Sequence, residues 1–152
     1  MQKLVVILGT NASGKSDLGI RVAEHFGGEV VSADSRQVYR GLDLGSGKIT
    51  PAQAARVKHH LIDVADVSEY YSLAQYQRAA YSAIDSISST GKLPFLVGAT
   101  GLYISAIVEG YQLVDVPPND QLRAELESLP LPQLVARLEK SDPDAASRID
   151  KS

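Results

Sequence analysis

Apolar and polar positions along this chain alternate in blocks that predict strands and helices by turns. Residues 3–8, KLVVIL, are a short apolar run ending at a glycine, which predicts a buried strand. From Lys15 to Phe26 the pattern is helical, with Leu18, Val22 and Phe26 at helical spacing and Gly27-Gly28 as the stop. GEVVSAD predicts a second short strand. Between Ser35 and about Lys58, Gly41, Gly45, Gly47 and Pro51 break the periodicity, predicting a structured loop with short helices. HHLID, residues 59–63, predicts a third strand. Ser72 caps an amphipathic helix in which Tyr76, Ala80, Ile84 and Ile87 line one face, stopped by Gly91. LPFLV, residues 93–97, predicts a fourth strand running into GATG, with a helix through LYISAIVEG behind it.

Strands alternating with helices predict an α/β fold, a parallel sheet with helices on both faces. Pro117 and Pro118 mark a change of character. Beyond them DQLRAELESL, PQLVARLEK and DPDAASRI predict short polar helices with little apolar surface of their own. The expected organisation is a core over residues 1–114 and a partial helical segment over residues 115–152. There is no internal repeat and no low-complexity stretch.

Composition adds limits. The 152 residues suit one domain with a real core; 44% are hydrophobic and 22% charged, ordinary for a soluble protein. No run approaches the ~18 apolar residues of a membrane span, so no membrane partner is expected. KLVVIL is too short for a signal-peptide core. Without cysteine there is no disulfide framework or thiolate metal site, and the cytoplasm is the default compartment. Residues 1–112 carry ten acidic and ten basic side chains, so the net charge of -3 arises in the tail, eight acidic against five basic. Within residues 36–60 Arg36, Arg40, Lys48, Arg56 and Lys58 face only Asp43, a local basic patch suited to nucleic-acid phosphates or simply a solvated surface.

The chemistry begins at residues 9–16, GTNASGKS, which fit G-x-x-x-x-G-K-[ST] between a strand and a helix. Gly9 and Gly14 let the backbone curl so that successive N–H groups face an anion, and the helix start adds its dipole. Lys15 can reach a terminal phosphate, and the Ser16 hydroxyl is the usual ligand for magnesium. The signal is a diphosphate or triphosphate with Mg2+; ATP is the reflex answer, but the pattern does not choose. Asp34 follows the second strand, at the carboxyl edge where ligands bind in open α/β folds. A carboxylate there serves as general base, as an outer partner of magnesium, or as a helix cap. His59 and His60 are adjacent, point differently in a strand and suit a structural role better than one metal. Asp63 is a minor candidate for magnesium contact through water.

Taken together, GTNASGKS, SADSRQVYRGLDLGSGK, HHLIDV, YSLAQY and GATGLYI resemble, in order and spacing, the tRNA dimethylallyltransferases (tRNA isopentenyltransferases) across residues 3–150. That resemblance implies a P-loop NTPase-like core whose loop, Gly9, Thr10, Asn11, Ala12, Ser13, Gly14, Lys15 and Ser16, holds the diphosphate of dimethylallyl diphosphate with magnesium. It implies transfer of the dimethylallyl group to N6 of the adenine 3′ of a tRNA anticodon, with diphosphate leaving. Asp34, Lys15 and Thr100 match catalytic positions, and Asp34, Ser35, Arg36, Gln37, Thr100 and Arg123 match positions that touch tRNA.

Three departures stand out. Thr10-Asn11 replaces the family's commoner Pro-Thr, and GATG replaces GGTG, so Ala99 either has a backbone angle that needs no glycine or is strained. The family also runs to roughly twice this length, and the arginine-rich segment that follows in it is absent here. The expectation is a fragment, or a short form that needs a C-terminal half, and otherwise a monomer. The competing readings are a small-molecule kinase, which needs an arginine-bearing lid that is not evident after Gly98, and a silent diphosphate-binding module. Transfer to free adenosine monophosphate is a variant of the same chemistry.

Overall fold

A computed structural model describes residues 3–113 and 116–150. The chain divides into two compact units, Met1–Val114 and Asp115–Ser152. In the first, β1 (Val5–Leu8) leads into α1 (Lys15–His25), then β2 (Glu29–Ala33), a long loop, α2 (Pro51–Arg56) and β3 (His59–His60). α3 (Leu73–Ser89), β4 (Pro94–Gly98) and α4 (Gly101–Val108) complete it. The strands form one parallel sheet in the order β1-β4-β2-β3, with Val5 opposite Phe95 and Val30 opposite both Phe95 and His59.

Successive side chains of the central strands point to opposite faces, and each face has its own core. Val31, Ala33 and Leu96 pack under α3 and α4, with Tyr76, Ala80, Ile84, Ile87, Ile104 and Ile107. There the rings of Tyr76 and Tyr103 stack with centroids 3.7 Å apart, and the Tyr76 hydroxyl donates to Ser32 O at 3.1 Å. Val30, Phe95 and Val97 pack on the other face with Ile20 and Ala23 of α1. Both central strands are buried on both sides, β4 as an apolar run and β2 with two polar residues, Glu29 and Ser32, among its apolar ones.

Two local expectations change. The spacing of Leu18, Val22 and Phe26 suggests one apolar stripe, yet Leu18 is 51% and Phe26 62% exposed, and the buried face of α1 is Gly19, Ile20 and Ala23. At Gly19 the helix lies close enough to the sheet to crowd a side chain, since a Cβ there would sit 3.0 Å from Val97, while Ile20 beside it fills the space against the sheet. The third strand is only two residues long, because Leu61 and Asp63 adopt φ of 63° and 57° and break the extended run. α3 matches its pattern: Ser72 and Gln75 form a reciprocal capping box, and the expected face is the buried one.

The second unit contains α5 (Asp120–Glu127), α6 (Leu131–Ser141) and α7 (Pro143–Arg148). Asn119 and Asp142 cap α5 and α7, and Arg137 of α6 pairs with Glu125 of α5 at 2.6 Å. Among the described residues, no helix is long and apolar enough to cross a membrane.

Candidate functional site

The loops after β1, β2 and β4 leave the same edge of the sheet and enclose a cavity of about 440 Å³. Asn11, Ala12, Lys15 and Ser16 line one side, Asp34, Ser35, Arg36 and Gln37 another, and Thr100 a third. The sequence-predicted residues of the first unit therefore meet at one place. Gly9, Thr10, Ser13 and Gly14 belong to the same loop without lining the cavity. Arg123 lies exposed on α5, in the second unit.

The loop is preshaped for an anion. Gly14 occupies the N-cap of α1 at φ 81°, a left-handed conformation that favours glycine, and no side chain caps the helix. The first amides of α1 are thus left without a side-chain cap, and they carry the positive end of the helix dipole. Lys15 Nζ reaches back to Thr10 O and to Ser13 Oγ, the latter at 3.4 Å. Its ammonium lies against the loop that it follows.

Asp34 is both a turn cap and a cavity group. Its Oδ1 accepts from the Arg36 N–H at 2.9 Å and the Gln37 N–H at 3.4 Å. Among the described residues no hydrogen bond reaches Oδ2, which leaves that oxygen an acceptor for a ligand. Thr100 starts α4 but does not cap it; its Oγ1 accepts instead from the Ser35 N–H at 3.0 Å. The two turns can approach because Gly98 has no side chain: a Cβ there would fall 2.1 Å from Ala33 O. Ala99 is not among the non-glycine residues at positive φ, so the alanine of GATG fits without left-handed strain.

Part of the wall lies outside the sequence-predicted set. Gly45, Ser46, Gly47, Ile49 and His59 also face the cavity. Gln37, itself buried, fixes this wall by donating from Nε2 to Gly47 O at 3.1 Å. The doubled glycine of GSGK is the signal that marks a close wall, but the same glycines also suit an ordinary loop. His59 Nδ1 lies 2.7 Å from Val57 O, and burial pushes its pKa below the ordinary value, favouring the neutral ring.

The basic patch of residues 36–60 largely dissolves. Arg56 pairs with Glu24 at 2.5 Å, Lys58 lies 3.7 Å from Glu29, and Lys48 is buried between Asp43 and Asp63. Burial alone would depress the Lys48 ammonium, but its hydrogen bonds to the two aspartates outweigh that and raise its pKa. Arg36 remains as an exposed cation that lines the cavity, while the exposed Arg40 turns its guanidinium to Val64 O at 3.5 Å. Asp63 is engaged by Lys48 and does not line the cavity with Ser16, so the structure gives no support to it as a magnesium partner. Among the described residues no three His, Cys, Asp or Glu side chains gather as a metal cage.

A family model described as IPP transferase matches residues 37–152. The chain belongs to the IPP transferase family. It is 51% identical over 153 residues to a tRNA dimethylallyltransferase of Roseiflexus sp. (strain RS-1), covering 98% of this chain and 50% of that protein. Among solved structures it resembles the tRNA isopentenylpyrophosphate transferase of Bacillus halodurans, with a TM-score of 0.73 and 43% identity, over 99% of this chain and 51% of the other. A eukaryotic dimethylallyltransferase acting on tRNA superposes with a TM-score of 0.85 at 31% identity, over 99% of this chain and 38% of the other. The chain thus spans about half the length of the curated relatives it matches. Within this family the fold is the P-loop NTPase-like α/β core, with the phosphate loop after β1 and the Asp34 turn after β2.

Proposed function

We propose that this chain carries the donor site and the acceptor-activating carboxylate of a tRNA dimethylallyltransferase. The observation that carries the reading is that Lys15 and Ser16 of the phosphate loop line the same cavity as Asp34. An ordinary phosphate loop needs only the first half of that arrangement. Val30, Ile49 and Val97 add apolar wall, which suits a five-carbon chain rather than a sugar.

The chemistry follows from those groups. The loop amides and Lys15 hold the diphosphate and stabilise the charge that gathers on it as the C1–O bond breaks. The lone pair of adenine N6 forms the new bond to C1, and diphosphate departs with the electron pair. The proton lost from N6 passes to Asp34, whose Oδ2 has room to accept it. An adenine in a stacked anticodon loop must be flipped out to reach this cavity, with Arg36 on its wall to meet the phosphates. Magnesium fits the oxygen chemistry here: Ser16 lines the cavity, and its hydroxyl would hold the ion together with diphosphate oxygens and water, so no carboxylate cage is needed. When bound, the ion neutralises charge on the leaving diphosphate. The cytoplasm is the compartment this reading assigns.

Calorimetric titration with dimethylallyl diphosphate and magnesium, with ATP as control, tests the reading. Donor binding with weak ATP binding supports it. Binding of ATP alone returns the site to a kinase, and binding of neither denies that this chain holds the donor site by itself.

A further inference from the structure

The cavity wall between Arg40 and Ile49 has little stiffness of its own, with Gly41, Gly45 and Gly47 all at positive φ. Lys48 supplies the stiffness. Its Nζ donates to Asp43 Oδ1 at 2.7 Å, to Asp63 Oδ1 at 2.6 Å and to Tyr39 O at 3.0 Å. An ammonium has three N–H donors, so these three acceptors use all of them and none is left for a ligand. The side chain is 7% exposed and does not line the cavity.

Each acceptor belongs to a different part of the wall's support. Tyr39 ends the Asp34 turn, Asp43 lies inside the glycine loop, and Asp63 lies beyond β3. The same parts are laced by backbone bonds: Asp63 N–H to Gln37 O at 3.0 Å, Val64 N–H to Val38 O at 2.8 Å and Arg40 N–H to Ala65 O at 2.9 Å. From the wall, Gly47 O then accepts from Gln37 beside Asp34.

We propose that Lys48 is a positioning residue for the acceptor side of the cavity, clamping the Gly45–Gly47 wall against Gln37 so that the acceptor base is held opposite Asp34. The identity of the acceptor rests on the prenyl-transfer reading; the clamp itself does not. Lys48 and its acceptors Tyr39, Asp43 and Asp63 do not themselves line the cavity with the phosphate loop, so loss of the clamp is expected to weaken acceptor binding far more than donor binding.

The residue can be changed without stranding charge. Asp43 and Asp63 side chains are 70% and 47% exposed, so both carboxylates rehydrate when the ammonium is removed. Lys48→Met keeps the length of the stem. Asp63→Asn is a gentler second variant that weakens one arm of the clamp. Amide exchange in Lys48→Met is expected to accelerate about tenfold or more over residues 40–49 and to stay unchanged over α1 and α3. Affinity for an anticodon stem-loop RNA is expected to fall about tenfold, with affinity for dimethylallyl diphosphate and magnesium kept within about twofold. Asp63→Asn is expected to show the same pattern more weakly. Unchanged exchange over residues 40–49, or donor and RNA affinities falling together, overturns the clamp. If the unmodified chain binds neither ligand, the prenyl-transfer reading fails, and the exchange comparison alone decides whether Lys48 holds the wall.

Discussion

Thr100 Oγ1 and the Ser35 amide are joined by a 3.0 Å hydrogen bond across 65 residues of sequence. The bond ties the turn after β4 to the turn that carries Asp34, and a second contact of 3.3 Å links the two hydroxyls. Thr100→Val keeps the shape and removes the acceptor, leaving a part-buried N–H unpaired. The expected cost is about 1–2 kcal/mol in a denaturant melt. Prenyl transfer is expected to fall with donor affinity unchanged, while Thr100→Ser retains most of both. A Val variant as active as the parent would show that this tie does not position the Asp34 turn.

Asp34 has two duties that substitution can separate. Asn keeps an oxygen to accept from the Arg36 and Gln37 amides but cannot take a proton at neutral pH; Ala loses both functions. Transfer is expected to fall at least about 100-fold in Asp34→Asn, within the usual range for a general base, while donor titration and melting stay near the parent. Asp34→Ala adds a loss of about 1 kcal/mol for the missing hydrogen bonds from the Arg36 and Gln37 amides. Appreciable transfer by the Asn variant would reduce Asp34 to a cap.

Lys15→Ala bears on the other half of the cavity. Removing a cation that faces a diphosphate deletes a charge-assisted hydrogen bond, and a loss of about 1.5–3 kcal/mol in donor binding is expected. Calorimetry with dimethylallyl diphosphate measures this directly. Unchanged affinity would end the phosphate-loop reading.

Some of this architecture was legible in the sequence because it is written in local pattern. The α3 face of Tyr76, Ala80, Ile84 and Ile87 shows its period within one helix, and GTNASGKS announces its own backbone. The α1 face was not legible, because the buried Ile20 shares it with Gly19 and Ala23, small residues to which apolar spacing gives little weight, while the larger Leu18 and Phe26 stay exposed. The extent of β3 was hidden by two residues at positive φ that carry no glycine. Lys48 reads as one more cation in a basic stretch, since its partner Asp63 lies fifteen residues away and only the fold brings them together. His59 reads as structural from its place beside His60, and nothing in the local sequence signals that it lines the cavity.

The opposite end of the sheet predicts an acid limb to stability. Glu29, buried at the start of β2, accepts from Lys92 at 2.7 Å and lies 2.6 Å from His60 Nε2. Burial alone would raise its pKa, but the hydrogen bonds from Lys92 and His60 and the charges of Lys58 and Lys92 outweigh it, lowering the carboxyl from 4.5 to about 2. A carboxyl depressed in the folded state is more readily protonated in the unfolded chain. Its stabilisation is therefore full above about pH 4.5 and is lost as the pH falls toward 2. Glu29→Gln removes the charge that satisfies these cations, and a loss of about 1–3 kcal/mol at neutral pH is expected. The variant is also expected to lose part of the acid dependence between pH 4.5 and 2, so that the two melting curves converge as the pH is lowered. Parallel curves across that window would mean that the lysines and His60 do not hold Glu29 ionised in the folded protein.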